Sequence, residues 1–389
     1  MKILIITSNV GKTAPGIVYE KIIQGLSKFH SIDILTENYS PSNCITQINE
    51  ITTIPKQIIH PRISKLLIAL LGVDPFDIIW ARKAERTFAK KSKNQYDIVY
   101  SFLSNHNYSA IIAGLYISKK ISSKFAVHTV DAVPNPIGWV KKDLHYKGLL
   151  RFTRTYFKHI DALFSTNEQM LSYQLNTFNP TKKIHTNIIY NSGLENPLSF
   201  PIEDDDSFNF IYTGGLYGAR KPDYIISAFK LLLNDFPNCN LIFVGSVLSD
   251  KQISSIDNSN KDRIKVVPYT KNLHPFYQIA TALIDIDADI KNDVFISSKL
   301  PVYLMINRWI ICETSDDSPT KSLFKNINSI IQCNHSSEQL YRAMKICILQ
   351  RNRVAFEDRK EIIELFKIDN IIKTLNNSLL QLNSHRQDS

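Results

Sequence analysis

Basic side chains stand beside several glycines in the segment Tyr212–Pro222, which reads YTGGLYGARKP. Gly214 and Gly215 have no Cβ, so a ligand oxygen can approach the backbone amides there. Arg220 and Lys221 add positive charge just before a predicted helix. Open amides, a helix N-terminus and an arginine together suit a diphosphate. The alternative is an ordinary tight turn with solvated basic residues, since glycine-rich loops are common.

A second anion-binding pattern lies in Val294–Leu304, where Ser297, Ser298 and Lys299 stand at the start of a predicted apolar helix. Serine hydroxyls at a helix start, together with a lysine, can bind an anion. An ordinary capped helix is the alternative interpretation. The two patterns reinforce each other because both lie at strand-to-helix turns of one predicted domain.

A third candidate lies in Val127–Pro136, where an apolar strand ends in a carboxylate and a proline-punctuated loop. Asp131 stands at the end of this strand, where a side chain can reach a ligand. A turn or helix cap is the alternative role for Asp131. His128 can titrate beside the same loop, but strand alternation places it on one face with Val130, where it can equally be a core histidine.

The elements that must position these residues show the periodicity of an α/β protein. Lys2–Ser8 is a continuous apolar run typical of a buried parallel strand, Ile17–Phe29 has helical spacing, and Ser31–Leu35 begins another strand. This order is the opening of a doubly wound domain. Further strands are predicted over Asp97–Phe102, Phe125–Val130, Ala162–Thr166 and Lys183–Tyr190.

The same pattern begins again after the Pro-containing acidic segment Glu195–Asn209, which we interpret as an interdomain linker. We therefore predict two Rossmann-like α/β domains facing a central cleft. Their bounds are residues 1–198 and 207–353, followed by C-terminal helices over 354–389 that pack back toward the N-terminal domain. The second domain has predicted strands at Phe208–Thr213, Asn240–Val244, Ile264–Val267 and Ala282–Ile286, and a helix at Asp223–Asp235.

Charge is distributed unevenly over the 389 residues. Residues 1–195 contain 24 lysines and arginines against 13 acidic residues, whereas residues 196–389 contain 22 against 23. Cations are interleaved with apolar or aromatic side chains in Arg62–Leu71, Arg82–Lys93 and Lys141–Lys158. This pattern suits the inner membrane surface, with the solvated faces of packed helices as the alternative. No nucleic-acid-binding module is recognisable, so we expect no nucleic-acid partner.

The five cysteines are scattered without a CxxC spacing, which favours a reducing cytosol over a disulfide framework and predicts no metal site. The N-terminal apolar run is too short for a signal peptide. No apolar run in the sequence approaches the length of a membrane span. We therefore expect a cytoplasmic protein, with peripheral membrane binding as the additional option.

Together these motifs resemble the GT-B glycosyltransferases, and among them the retaining family-4 type (glycosyl transferases group 1). The resemblance covers most of the chain and is strongest over residues 208–315. The similar segments are the glycine-rich loop, Asp223–Phe229, Leu241–Gly245, Ser297–Tyr303, Asp161–Glu168 and Ile188–Gly193.

The resemblance implies roles for individual residues. Arg220 takes the place of the diphosphate-binding lysine, and Lys299 with the amides of Ser297 and Ser298 matches the second phosphate contact. Asp131 corresponds to the residue that contacts the transferred sugar. Further implied donor contacts are Gly214, Gly215, Lys221, Gly245, Tyr269 beside the base, and Tyr303; implied acceptor-side residues are Gly16 and His128.

Three positions depart from the family's donor-binding pattern. Val302 occupies the place of the family's ribose-binding glutamate, and Val294 that of its partner acid, although Asp293 is adjacent. Gly215 occupies the place of a second cation. The expected activity is metal-independent sugar transfer from a nucleotide-sugar co-substrate to a glycan acceptor, free or lipid-linked, in O-antigen or capsule synthesis. The alternatives are a non-catalytic GT-B scaffold subunit and a sugar-nucleotide epimerase or hydrolase.

Overall fold

The computed structural model describes residues 1–384 except 12, 43, 44, 46, 92–95, 104–107, 203–206, 250, 251, 253–261 and 355. The chain forms two compact units. The first consists of Met1–Asn191 and Ile368–Ser389, and the second of Ser192–Lys367. The acidic part of the predicted linker, Glu203–Asp206, and Cys44 lie outside the described residues.

The first unit contains a parallel seven-stranded sheet in the order β3-β2-β1-β4-β5-β6-β7. Its central strands are buried on both faces, which explains their continuous apolar sequences. The strands are β1 (Lys2–Gly11), β2 (Ser31–Ser40), β3 (Ile48–Thr53), β4 (Ile98–Leu103), β5 (Lys124–Thr129), β6 (Ala162–Ser165) and β7 (His185–Ile188).

Helices cover both faces of this sheet. They are α1 (Ala14–Ser27), α2 (Pro61–Leu71), α3 (Pro75–Lys91), α4 (Ser109–Ile121), α5 (Leu144–Tyr156) and α6 (Glu168–Phe178), with a 3-10 turn at Phe157–His159. The last helix of the chain, Ile368–Ser384, belongs to this unit and packs on α1, where Ile372 contacts Gly25. A β-carbon at Gly25 would stand 2.3 Å from Ile372 Cγ1, so glycine is required for this approach.

The second unit contains a parallel six-stranded sheet in the order β10-β9-β8-β11-β12-β13. Its strands are β8 (Phe208–Thr213), β9 (Cys239–Val244), β10 (Ile264–Val267), β11 (Ala282–Ile286), β12 (Trp309–Glu313) and β13 (Ile330–Cys333). The bounds of β8, β10 and β11 are those predicted from the sequence. The fold class expected from the sequence, two Rossmann-like α/β domains, is thus confirmed.

The helices of the second unit are α7 (Asp223–Asp235), α8 (His274–Ile279), α9 (Leu300–Tyr303), α10 (Pro319–Leu323), α11 (Ser337–Leu349) and α12 (Lys360–Phe366), with 3-10 turns at Arg351–Arg353 and Phe356–Arg359. The last helix, Ile368–Ser384, is α13. The interpretation of Ser297 as the cap of an apolar helix is wrong, because the helix that follows begins only at Leu300. The helix α9 has only four residues, and its N-cap is Lys299, which makes no side-chain capping bond.

Each unit has its own apolar core between sheet and helices. In the first unit, two clusters lie on opposite faces of the sheet, and the face that carries α1 also receives the apolar side of α13. In the second unit, α7 and α11 cover one face. Among the described residues, no helix is long and apolar enough to cross a membrane.

Candidate donor-binding site

The carboxyl edge of the second sheet brings the loops after β8, β9 and β11 together. Gly214 follows β8 with φ 95°, a left-handed conformation that favours glycine. Its N–H donates to the carbonyl of Val244 (2.7 Å), and its carbonyl accepts from the Ser246 hydroxyl (2.6 Å). The amide of Gly214 is therefore engaged within the loops, and the exposed Gly215 is the glycine that a ligand can approach.

Lys299 extends over this glycine turn. A β-carbon built on Gly214 would stand 3.2 Å from Lys299 Cε, so the turn and the lysine are in close contact. Lys299 Nζ lies 3.7 Å from Asp285 Oδ1 and 3.2 Å from Ser297 Oγ, and it stands 4.7 Å from the centre of the Tyr212 ring. Burial lowers the pKa of Lys299 to about 8, although Asp285 opposes this shift.

Arg220 is buried at the end of the same loop, with 7% of its surface exposed. Its guanidinium lies against the ring of Tyr217, and Nη1 donates to the Tyr217 hydroxyl oxygen (3.3 Å). Burial disfavours the arginine's charge, but Asp287, with smaller contributions from Tyr217, Asp285 and Tyr212, outweighs burial and raises the pKa of Arg220. Asp285 and Asp287 act electrostatically on both cations, so Arg220 and Lys299 face one shared cluster.

Two carboxylates at the end of β11 were missed by the sequence reading. Asp285 and Asp287 are both 1% exposed. Asp287 Oδ2 accepts hydroxyl hydrogen bonds from Thr314 (2.8 Å) and Ser318 (3.0 Å). Burial, and then the charge of Asp285, raise the pKa of Asp287 to about 6. The available signal was the placement of aspartates two residues apart in an otherwise apolar strand, which puts both on one face.

The remaining predicted donor contacts have different environments. Tyr303 is fully buried, and its hydroxyl bonds to the N–H (3.0 Å) and Oγ1 (2.8 Å) of Thr213. It therefore holds the end of β8. Tyr269 is 74% exposed and lies beside Gly245, which has φ 80°. Ser297 is buried under Lys299, whereas Ser298 and Lys221 are exposed.

The expected partner acid near Val294 is used by its own loop. Asp293 is 1% exposed, and its Oδ1 accepts from the N–H groups of Val294 (2.8 Å) and Phe295 (3.2 Å). The Val302 side chain has no hydrogen-bonding group. A ribose in this site therefore has to find acceptors other than those two family positions.

A buried histidine–glutamate pair extends the polar edge beyond Asp287. His335 Nδ1 lies 2.8 Å from Glu313 Oε1, and the Glu313 carbonyl accepts from the N–H of Asp287 (2.9 Å). Burial raises the pKa of Glu313. For His335, burial lowers the pKa, but the hydrogen bond to Glu313 and the charges of Glu313, Asp289 and Asp287 together outweigh burial and raise the pKa. This pair was also missed by the sequence reading, because its members are distant in the chain.

The residues predicted in the first unit do not form a comparable cluster. His128 is 1% exposed among aromatic rings, and its Nδ1 lies 2.8 Å from the Tyr100 hydroxyl. Burial lowers the pKa of His128 to about 3, so an acceptor contact through this ring does not fit its placement. Gly16 lies in the first turn of α1, where its N–H donates to the Thr13 hydroxyl (3.1 Å). Asp131 is half-buried just beyond β5.

The architecture is that of the GT-B glycosyltransferases. Searches against family models and curated proteins find no match for this sequence, whereas solved structures match along the whole chain. HepE of Anabaena, solved with UDP and glucose, superposes with a TM-score of 0.63 at 12% identity, covering 97% of this chain and 98% of its own. The lipopolysaccharide outer core galactosyltransferase WaaB gives 0.66 at 14% identity, with 98% and 99% coverage. At these identities the likeness shows the shared fold.

Another structural neighbour has a different described activity. A Listeria monocytogenes protein described as a UDP-N-acetylglucosamine 2-epimerase gives a TM-score of 0.58 at 11% identity, covering 100% of this chain and 98% of its own. The fold alone therefore does not select one reaction, and the side chains of the site must carry the functional argument.

Proposed function

We propose that this protein is a glycosyltransferase whose second unit binds the diphosphate of a nucleotide-sugar. The observation that carries the proposal is the convergence of Arg220 and Lys299 on one carboxylate pair beside the glycine turn. Loops at the carboxyl ends of parallel strands are where ligands bind in open α/β sheets. Lys299 against Gly214, the buried Arg220 at the end of the loop and the exposed backbone of Gly215 offer a diphosphate both charge and backbone contacts.

In the proposed reaction, an acceptor hydroxyl oxygen bonds to the anomeric carbon of the donor sugar as the bond to the diphosphate oxygen breaks. The hydroxyl proton passes to the departing diphosphate. Arg220 and Lys299 stabilise the negative charge that develops there, as preorganised cations do. Because these side chains supply the positive charge, we propose metal-independent transfer. Front-face attack with retention, and a sugar contact through Asp131, follow from the family-4 resemblance.

The proposed donor is a UDP-sugar, which the UDP and glucose in HepE support as a first choice. Tyr269 stands beside the site with an exposed ring, where a base can stack. The WaaB neighbour supports surface polysaccharide synthesis as the setting, with O-antigen or capsule as the product class.

A ligand panel tests the donor proposal directly. The melting temperature of the full chain is measured with UDP-, GDP-, ADP- and TDP-sugars, since a ligand that binds only the folded state raises it. We expect UDP-sugars to raise the melting temperature, and Arg220→Met to abolish the shift. Lys221→Met, an exposed neighbouring cation, is the matched control and should keep it. No shift with any nucleotide would favour the scaffold alternative, to which Val302 and Gly215 point.

The epimerase or hydrolase alternative is tested by product analysis, because it predicts release or isomerisation of the nucleotide-sugar without an acceptor. A transferase instead consumes donor in proportion to the acceptor that is glycosylated. The Listeria neighbour makes this comparison necessary.

We also propose a peripheral position on the cytoplasmic face of a membrane, through α2 and the start of α5. Ile63, Leu66, Leu70 and Leu71 of α2 are each more than half exposed. The 51–73 segment contains no acidic residue, and it contains three cations. An exposed apolar helix face with basic neighbours suits an anionic lipid surface.

The packing of α2 on α5 brings further cations to this surface. Arg151 Nη2 donates to the carbonyls of Ala69 (2.5 Å) and Leu70 (3.1 Å), and Gly148 lets the two helices approach at Ile68. Just before α5, Lys141 and Lys142 are exposed beside the exposed Leu144. The apolar face of α2 and these cations thus lie on connected elements.

Vesicle sedimentation tests the membrane proposal. The protein should bind phosphatidylcholine vesicles that contain phosphatidylglycerol, bind less as salt rises, and bind weakly to phosphatidylcholine alone. Leu66→Glu combined with Leu70→Glu should remove binding. Leu231→Glu combined with Leu349→Glu changes two exposed leucines of the second unit and is the control. Equal loss with both double variants would contradict the assignment of the surface to α2.

A further inference from the structure

The first unit contains a cavity of about 530 Å³ that no predicted site residue lines. Its walls come from β2, from the 56–59 segment that follows β3, from α2, from Asp74 and Tyr108 just before α3 and α4, and from His145 of α5. The ends of these strands lie at the carboxyl edge of the first sheet, which is the ligand-binding edge of open parallel sheets. The volume falls in the usual range for small-molecule sites.

The polar lining of the cavity carries charges of both signs, with the carboxylates Glu37 and Asp74 and the cations Lys56 and Lys65, beside His145. Asp74 is 5% exposed, and it accepts hydrogen bonds from the Ser64 hydroxyl (2.5 Å) and the Phe76 N–H (3.0 Å). A carboxylate has about four acceptor positions, so Asp74 can accept further hydrogen bonds from a ligand. Glu37 also lines the cavity and accepts from the Ser109 hydroxyl.

A third carboxylate, Asp77, lies close behind this wall. It is paired with the cavity-lining Lys56, and burial raises the pKa of Asp77 to about 6 in spite of that cation. Asp74 and Glu37 both add to this raised pKa, which shows that the three carboxylates share one field. Because Lys56 and Lys65 also line the cavity, its lining holds charges of both signs, and it favours a neutral ligand whose hydroxyl groups donate hydrogen bonds over a ligand with a net charge.

A second part of the lining is apolar. Ile59, Ile68 and the ring of Tyr108 line it, and Pro61 and Ile68 belong to α2. The same helix that lines the cavity with Ile68 exposes Leu66 and Leu70 on its other side. An occupant of the cavity thus lies one helix away from the proposed membrane surface.

From this arrangement we propose that the cavity binds the acceptor, and that the acceptor is a neutral glycoside with an apolar aglycone. The hydroxyl groups of the sugar donate to Asp74 and Glu37. The apolar face of the sugar and the beginning of the aglycone pack on Ile59, Ile68 and Tyr108. This inference rests on the proposed transferase function and identifies the class of its acceptor.

Calorimetric titration of the full chain tests the site with octyl β-glucoside and octyl β-galactoside below their micelle concentrations. Octyl β-glucuronide tests the preference for a ligand without net charge, and glucose and octanol test each half of the ligand alone. Ile59→Trp fills the cavity, and Glu37→Gln removes one charge without a change of shape. Ile51→Trp, on the exposed side of β3, is the matched control because it lies outside the cavity.

We expect a neutral octyl glycoside to bind, and Ile59→Trp to weaken it by about tenfold or more, because the side chain occupies the volume that the ligand needs. Ile51→Trp should leave the affinity unchanged. Glu37→Gln should lower the affinity for the glucoside and reduce the ratio of the glucoside affinity to the glucuronide affinity. Absence of glycoside binding, binding that Ile59→Trp leaves intact, or equal affinity for octanol and the glucoside would each overturn the proposal.

The titration of each variant with UDP separates this inference from the donor proposal. UDP should bind wild type, Ile59→Trp and Glu37→Gln alike, since these residues belong to the first unit. If UDP fails to bind wild type, the donor proposal is wrong, whereas loss of glycoside binding alone counts against the cavity.

Discussion

Replacement of Lys299 by methionine is the most informative perturbation of the donor site. Methionine keeps an unbranched apolar stem and removes the charge. With a pKa of about 8, Lys299 is about nine-tenths protonated at pH 7, so the variant loses nearly a full positive charge. Loss of a charge-assisted contact to a diphosphate costs about 2–3 kcal/mol, which corresponds to a rise of roughly 30- to 150-fold in the Kd for UDP.

The same substitution leaves Asp285 buried without its nearest cation, which stands 3.7 Å away in the wild type. Removal of one partner of a buried ion pair lowers the free energy of unfolding by about 3–5 kcal/mol. Arg220 also acts on Asp285, so we expect the lower end of that range. A stability loss and a binding loss therefore coincide in the single variant.

The double variant Lys299→Met, Asp285→Asn separates these two effects. Because it removes both charges, it should recover most of the melting temperature. It should not recover UDP affinity, since the cation that contacts the diphosphate is still absent. The assay is calorimetric titration with UDP at 25 °C, with uridine as the ligand that lacks the diphosphate. Recovery of UDP binding in the double variant, or wild-type UDP affinity in Lys299→Met, would refute the assigned role.

Three further predictions concern charge and burial. Arg220→Met should raise the Kd for UDP by about 10- to 100-fold, because a charge-assisted contact is lost. Lys221→Met should change this Kd by about twofold at most, because that lysine is exposed. Equal effects of the two substitutions in calorimetric titration would contradict the prediction. The affinity for UDP should fall as pH rises above about 8, where Lys299 loses its proton in the free protein, and a flat profile from pH 7 to 10 would count against a lysine contact. Burial lowers the pKa of His128 to about 3, so below about pH 6.5 this histidine binds a proton in the unfolded chain but not in the folded protein. The free energy of unfolding should therefore fall on acidification, and it should fall less steeply in His128→Gln. Urea titration of both proteins at several pH values measures this difference.

Much of the fold could be predicted from local pattern. Strands β8, β10 and β11 and helix α7 have the predicted bounds because apolar runs or helical spacing end there at turn residues. Strand β3 was missed, since its sequence INEITT alternates with polar residues and lies at the exposed edge of the sheet. The apolar run after Lys299 indicated a helix, but the chain turns after Tyr303 toward β12, so only one helical turn forms.

The sequence predicted the basic residues of the donor site but not its carboxylates. Arg220 and Lys299 stand in recognisable loops, so each could be named from its neighbours in the sequence. Their common environment depends on the placement of β11 between β8 and β12, which is a property of sheet order. Asp285 lies in a strand that is otherwise apolar, Asp287 follows that strand directly, and Glu313 meets His335 only because β12 and β13 are neighbours.

The acceptor side was the least predictable part. His128 was predicted as an acceptor-side residue because its ring can titrate. The alternation of side chains along the strand instead places this ring in the core, which was the alternative interpretation. The cavity between α2 and the sheet combines Glu37, Ile59, Asp74 and Tyr108 from four separate segments. No local pattern connects these residues, so only their tertiary packing could reveal them.

The place of α13 has a consequence for synthesis of the chain. Ile372, Leu375 and Leu379 of this last helix complete the core beside α1, although most of the first unit is made before residue 192. During translation, the apolar side of α1 therefore stays exposed until the whole second unit has emerged from the ribosome. We expect the chain to need a chaperone while the first unit is still without α13. A premature stop before residue 368 should give an aggregation-prone product rather than a smaller folded protein.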